Sequence, residues 1–127
     1  MKLRIKGNSL RIRVTRSELG RFQAGGRIED TIHFTSAPEA KLTYALETAL
    51  QASPVTVRYG SREVTVILSK DQARIWEAPS EVGVYTTLDM GSAGSLEVVV
   101  EKDFACIDRT DEDQTDTFAN PSAGANC

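Results

Sequence analysis

The sequence predicts an α+β domain of about eight mostly antiparallel strands and two short helices. Three observations predict it. Apolar and polar residues alternate with period two in several short segments, such as Lys2-Leu3-Arg4-Ile5-Lys6 and Leu10-Arg11-Ile12-Arg13-Val14. Two helix-starting boxes, Thr15-Arg16-Ser17-Glu18 and Ser69-Lys70-Asp71-Gln72, interrupt that alternation. The pattern after Pro54 then repeats the pattern before it, so the strands and helices fall into two ββαββ halves, residues 1–50 and 54–102.

In chain order, the first two segments form a hairpin. Gly7-Asn8 suits a two-residue turn of type II′, with Gly supplying the first central position. That turn sets Lys6 opposite Ser9, Ile5 opposite Leu10, Arg4 opposite Arg11, Leu3 opposite Ile12 and Lys2 opposite Arg13. All apolar residues then share one face and all basic residues the other. The Thr15 box opens a short helix that carries Leu19 and Phe22 inward and stops at Gly25-Gly26. Residues 27–34 and 41–47 are strands, the second with Leu42, Tyr44 and Leu46 on its buried face. Residues 55–59 and 63–68 form a second hairpin with its turn at Gly60-Ser61. The Ser69 box opens a helix with Ala73 and Trp76 inward, ended by Pro79-Ser80, and residues 82–88 and 95–101 are the last strands.

A shift of 54 residues places Leu10 on Val64, Thr15 on Ser69, Glu18 on Gln72, Phe22 on Trp76, Ile28 on Val82 and Leu42 on Leu96. On that alignment Gly7 and Gly60 are out of step by one residue. The expected architecture is a tandem duplication within one domain, residues 1–102, forming a curved sheet or a barrel-like closure. Residues 103–127 lose the periodicity and form an acidic tail, packed on the domain or partly disordered.

Charge is divided along the chain. Residues 1–62 hold 11 Lys and Arg against 5 Asp and Glu, and residues 63–127 hold 4 against 13. The net charge of −3 argues against a nucleic-acid binder, which is basic as a whole domain. No apolar run reaches the length of a membrane helix and no secretory signal opens the chain, so the expected setting is cytoplasmic.

Two groups of residues could carry chemistry. Lys2, Arg4, Lys6, Arg11 and Arg13 gather on one hairpin face, where like charges directly opposite one another repel. Solvent, an internal carboxylate or a bound anion must offset that repulsion. The expectation is a non-catalytic binding domain for an anionic small molecule or an acidic protein segment. The chain's own Asp111, Glu112, Asp113 and Asp116 are candidates to cover the arginines. The second group is Cys106 and Cys127 with His33, the one histidine. In a reducing compartment the cysteines could bind zinc, with Asp103, Asp108 or Asp116 as further ligands; a Cys106–Cys127 disulfide or two free thiols are the alternatives. No nucleophile motif or phosphate-binding glycine loop is present.

The opening Lys2-Leu-Arg-Ile-Lys-Gly-Asn-Ser-Leu-Arg-Ile-Arg-Val-Thr15 with Ser17-Glu18 resembles the start of an uncharacterised bacterial protein family. Thr43-Tyr-Ala-Leu46 resembles its middle. Val100-Glu-Lys-Asp-Phe-Ala-Cys106, Glu112-Asp-Gln-Thr-Asp116, Phe118, Asn120-Pro121 and Cys127 resemble its close. The resemblance implies that the hairpin and the cysteine-bearing tail are family features, and no activity follows from it. Leu10-Arg-Ile-Arg13 is also similar to a basic strand of the triphosphate tunnel metalloenzymes. That likeness implies the rival function, a phosphate-handling barrel enzyme with Glu29, Glu97 or Glu101 lining a tunnel. Lys2-Leu-Arg-Ile-Lys6 departs from that group, whose metal strand reads Glu-x-Glu-x-Lys.

Overall fold

The computed structural model describes residues 1–104 and 116–118. Its elements follow the expected order: β1 (Lys2–Ile5), β2 (Ser9–Val14), α1 (Arg16–Gly25), β3 (Arg27–His33), β4 (Lys41–Ala49), β5 (Val55–Gly60), β6 (Glu63–Ser69), α2 (Lys70–Glu77), β7 (Gly83–Asp89) and β8 (Ser95–Lys102). A single 3-10 turn, Gly91–Ala93, joins the last two strands.

The strands form two four-stranded sheets, ordered β1-β2-β8-β7 and β3-β4-β6-β5. Both have open edges, so the expected barrel is not formed. Each sheet is antiparallel at its two outer pairs and parallel at its centre, β2 with β8 and β4 with β6. The outer pairs are local. Short turns and loops join their strands and dictate antiparallel neighbours. The central pairs join strands that are not neighbours in sequence, and alternation within each strand carries no information about them.

Two compact units result, Met1–Gly20 with Pro79 onward, and Arg21–Ala78. The boundary between the sequence halves, at residues 50–54, falls inside the second unit. In the first unit, Ile12, Val14, Leu19, Val84, Val98 and Val100 are buried. In the second, Ile28, Leu46, Val66 and Leu68 are buried, as are Phe22 and Trp76, which form an edge-to-face pair with ring centroids 6.1 Å apart. These two rings are the aromatic anchors expected on the two helices.

The first hairpin has the register that the Gly7-Asn8 turn implies, with Lys2 opposite Arg13 and Arg4 opposite Arg11. Gly7 lies at φ 55° and Asn8 does not share its positive φ, as a II′ turn requires. The boxes also form as expected. Thr15 N–H donates to Glu18 Oε1 at 2.9 Å while Glu18 N–H donates back to Thr15 Oγ1 at 3.4 Å. Ser69 Oγ accepts from Gln72 N–H at 3.0 Å.

The structure moves the second hairpin's turn. Gly60 is paired with Glu63 inside the ladder, and the central turn residues are Ser61 and Arg62, at φ 53° and 59°. A shift of 54 residues carries Gly7-Asn8 onto Ser61-Arg62, so the two hairpins are in step after all. The same shift carries the pair Lys2–Arg13 onto Thr56–Ile67, and the central pair Thr43–Glu63 onto Glu97–Ser9. The alignment slips elsewhere. Ile28 pairs with Leu46 as Val84 pairs with Val100, so β3 matches β7 at 56 residues and Ile28 corresponds to Val84 rather than Val82. Two extra residues after α2, balanced by a shorter β7–β8 connection, account for the slip.

Ser61 and Arg62 occupy the left-handed region that disfavours side chains with a Cβ. Replacing them together (Ser61→Asn with Arg62→Gly) is expected to stabilise the protein by about 1 kcal/mol and raise its melting temperature. An unchanged or lowered melting temperature would show that this turn stores no backbone strain.

Candidate functional site

The parallel register of β2 and β8 builds the candidate site. It sets Arg13 beside Glu101, Arg11 beside Val99 and Ser9 beside Glu97. β7 continues the rows, with Gly83 beside Glu101 and Tyr85 beside Val99. Alternation puts Lys2, Arg4, Lys6, Arg11 and Arg13 on the same face as these carboxylates. Leu3, Ile5, Leu10, Ile12 and Val14 take the other face.

The five cations are therefore gathered as expected, but they are not equivalent. Glu101 lies between strands with its side chain 13% exposed. Its Oε1 is 3.2 Å from Arg11 Nε and 3.5 Å from Arg13 Nε, and its Oε2 accepts from the Tyr85 hydroxyl at 2.9 Å. Burial, the bond to Glu101 and the carboxylate's negative charge together push the Tyr85 hydroxyl's pKa up. The two arginine contacts are ionic and lack hydrogen-bond geometry: Arg13 Nε and Glu101 Oε1 are buried without a hydrogen bond. Lys2 Nζ reaches Asp103 at 3.4 Å. Arg4 and Lys6 are exposed and have no carboxylate partner among the described residues. The repulsion on the hairpin is thus offset from within by Glu101 and Asp103, which leaves Arg4 on β1 and Lys6 just after it.

Asp116 does not cover the arginines. It caps α1: its Oδ1 accepts from Ser17 N–H at 3.0 Å, its other oxygen accepts from the Ser17 hydroxyl, and its backbone carbonyl accepts from Arg16 N–H at 3.3 Å. The first turn of a helix offers unpaired N–H donors and a positive dipole end, a directed site for a carboxylate. Phe118 then packs edge-to-face on Phe104 at 5.8 Å, with Lys102 Nζ 5.6 Å from its ring centroid and its own N–H on the Asp103 carbonyl. Asp111, Glu112 and Asp113 lie outside the described residues.

The other expected groups do not assemble. His33 is exposed at the end of β3 opposite Lys41, and Cys106 and Cys127 lie outside the described residues. Among the described residues no three His, Cys, Asp or Glu side chains come together to hold a metal. Glu29 stands on the other sheet from Glu97 and Glu101, within 3.7 Å of Arg27. The two sheets that hold these carboxylates are not closed into the barrel on which the rival reading is built.

Sequence reading missed Tyr85 as the third group on Glu101. It also missed an ion cluster on the second sheet. There Arg27 donates to Glu47 at 2.8 Å and to Glu63 at 2.5 Å, while Arg58 Nη2 lies 3.5 Å from Glu47. The available signal was the 54-residue shift, which carries Glu47 onto Glu101. Burial would raise the Glu47 pKa, but the bonds from Arg27 and Arg58 outweigh it and hold the carboxyl below its ordinary range.

The fold and site define an α+β protein of two open mixed sheets, one of which presents a partly neutralised cationic face. The chain belongs to the family of unknown function DUF7009, whose family model covers residues 1–122. That span includes every residue of the uncharacterised family's motifs except Cys127. No curated protein and no solved structure matches the chain. Among the described residues no helix is long and apolar enough to cross a membrane.

Three carboxylates should make stability depend on acid. Burial raises the Glu18 pKa, but bonds from the Met1 ammonium and Thr15 outweigh that and lower it; Glu47 is lowered as above, and the Ser17 contacts lower Asp116. A carboxyl whose folded pKa is depressed stabilises the fold above its unfolded value and loses that contribution as pH falls through the folded value. The melting temperature is therefore expected to be flat near neutrality and to fall below about pH 5. Glu18→Gln should cost about 1 kcal/mol at pH 7 and flatten part of that acid limb. An acid limb identical to the wild type's would remove Glu18 from this role.

Proposed function

We propose that the protein is a non-catalytic binding module whose β1–β2 face receives a carboxylate or phosphate group. One observation carries this reading: Arg4 and Lys6 stand exposed, with no carboxylate partner among the described residues, beside Arg11 and Arg13, which Glu101 already holds. Five cations share that face with Glu97, Glu101 and Asp103, so the local charge stays positive in a chain that is acidic overall. The contacts of Arg11 and Arg13 with Glu101 run through Nε, and the paired Nη donors of a guanidinium suit a carboxylate or phosphate. Arg4 and Lys6 supply the excess charge that draws the anion in.

Glu101 has two effects in this reading. It relieves repulsion between neighbouring arginines when no ligand is bound, and it fixes their guanidinium groups in place. The partner is a small anionic molecule or an acidic protein segment. The module is proposed to work in the cytoplasm, a setting that a chain with few cysteines, two in 127 residues, fits. We further infer that it arose by duplication of a ββαββ unit, supported by the hairpin and central-strand registers that map onto each other at 54 residues.

Calorimetric titration with inorganic pyrophosphate tests the anion site. Binding is expected, weakening as salt is raised. Arg4→Glu with Lys6→Glu should weaken it at least about tenfold, and Glu101→Gln should tighten it by removing the competing carboxylate. Equal affinity for wild type and the double variant would place the anion elsewhere.

A further inference from the structure

β1 is an edge strand, and its outer side is chemically specific. Lys6 and Ser9 exchange both backbone hydrogen bonds, at 3.2 and 3.1 Å. In an antiparallel pair such bonded positions alternate, so the backbone groups of Lys2, Arg4 and Lys6 face β2, while the N–H and C=O groups of Leu3 and Ile5 face outward. No described residue bonds those outward groups. On one face of this edge stand Arg4 and Lys6, about 6.6 Å apart along the strand. On the other stands Ile5, 61% exposed, next to half-buried Leu3 and Leu10.

We propose that this edge takes an extended polypeptide segment in which acidic and apolar residues alternate, added to the sheet as a fifth strand outside β1. The inference rests on the anion-binding reading above and names the partner class. Strand addition would satisfy the outward backbone groups of Leu3 and Ile5, set acidic side chains beside Arg4 and Lys6, and cover Ile5 with apolar ones. Charge also limits the choice of strand. Two copies of β1 side by side would juxtapose their cations, so the edge repels itself while attracting an acidic segment. β7, the opposite edge of the same sheet, carries Tyr85, Thr86 and Thr87 with no cation, and lacks that complementarity.

Fluorescence anisotropy with a labelled Val-Glu-Val-Glu-Val peptide tests the proposal, with Val-Lys-Val-Lys-Val as the control. Ile5→Pro is the diagnostic variant, because it removes an outward N–H without touching a bond to β2. Arg4→Glu with Lys6→Glu is the second variant, independent of any backbone effect. The acidic peptide is expected to bind and the lysine peptide not to. Each variant should weaken binding at least about tenfold, while Ile5→Pro leaves pyrophosphate binding unchanged. Undiminished peptide binding by Ile5→Pro would mean attraction by charge alone and overturn strand addition. Pyrophosphate binding without peptide binding would make the β1 cations mere guards of a bare edge and overturn the inference while leaving the anion site. Loss of both ligands in the wild-type protein would instead overturn the anion site itself.

Discussion

The parallel contact between β2 and β8 decides most of what this protein presents to its surroundings. A slip of one residue would turn Glu101 to the apolar face and leave Arg11 and Arg13 with no counter-ion. In the observed register, Arg13 lies beside Glu101, Glu101 reaches Arg11, and Tyr85 from β7 closes the carboxylate's second oxygen. A surface of like charges is thereby made compatible with a stable sheet. The neutralisation is incomplete at the edge strand, and the proposed binding chemistry begins there.

The second sheet shows the same construction with a different outcome. Its central carboxylate, Glu47, also gathers two arginines, Arg27 and Arg58. Yet the positions that match Arg11 and Arg13 at a shift of 54 residues are Thr65 and Ile67. The ion cluster of that sheet draws Arg27 from β3 and Glu63 from β6, so its cations are matched by carboxylates at hydrogen-bonding distance. On the first sheet's hairpin, Arg4 and Lys6 have no such partner among the described residues.

Local features were legible in the sequence because local chemistry determines them. Gly7-Asn8 named its turn and its register; Thr15 and Ser69 named two helix starts; Phe22 and Trp76 named the inward faces. Ser61-Arg62 was misread because Gly60 is the more obvious turn residue, although only its neighbours take a positive φ. The central strand pairs were hidden, since any apolar strand can neighbour any other. With them were hidden the partners of Glu101 and the open form of the sheets. Asp116 illustrates the same limit: seven acidic residues after position 100 suggested a partner for the arginines, whereas the helix start at Ser17 offers directed donors.

A double-mutant cycle on Arg13 and Glu101 addresses most directly whether this carboxylate is the internal counter-ion of the face. Arg13→Gln, Glu101→Gln and the double variant would be compared by urea unfolding at low salt. The two single losses should exceed the double loss, with a coupling of about 1 kcal/mol that shrinks as salt is added. Strictly additive losses at every salt concentration would contradict it.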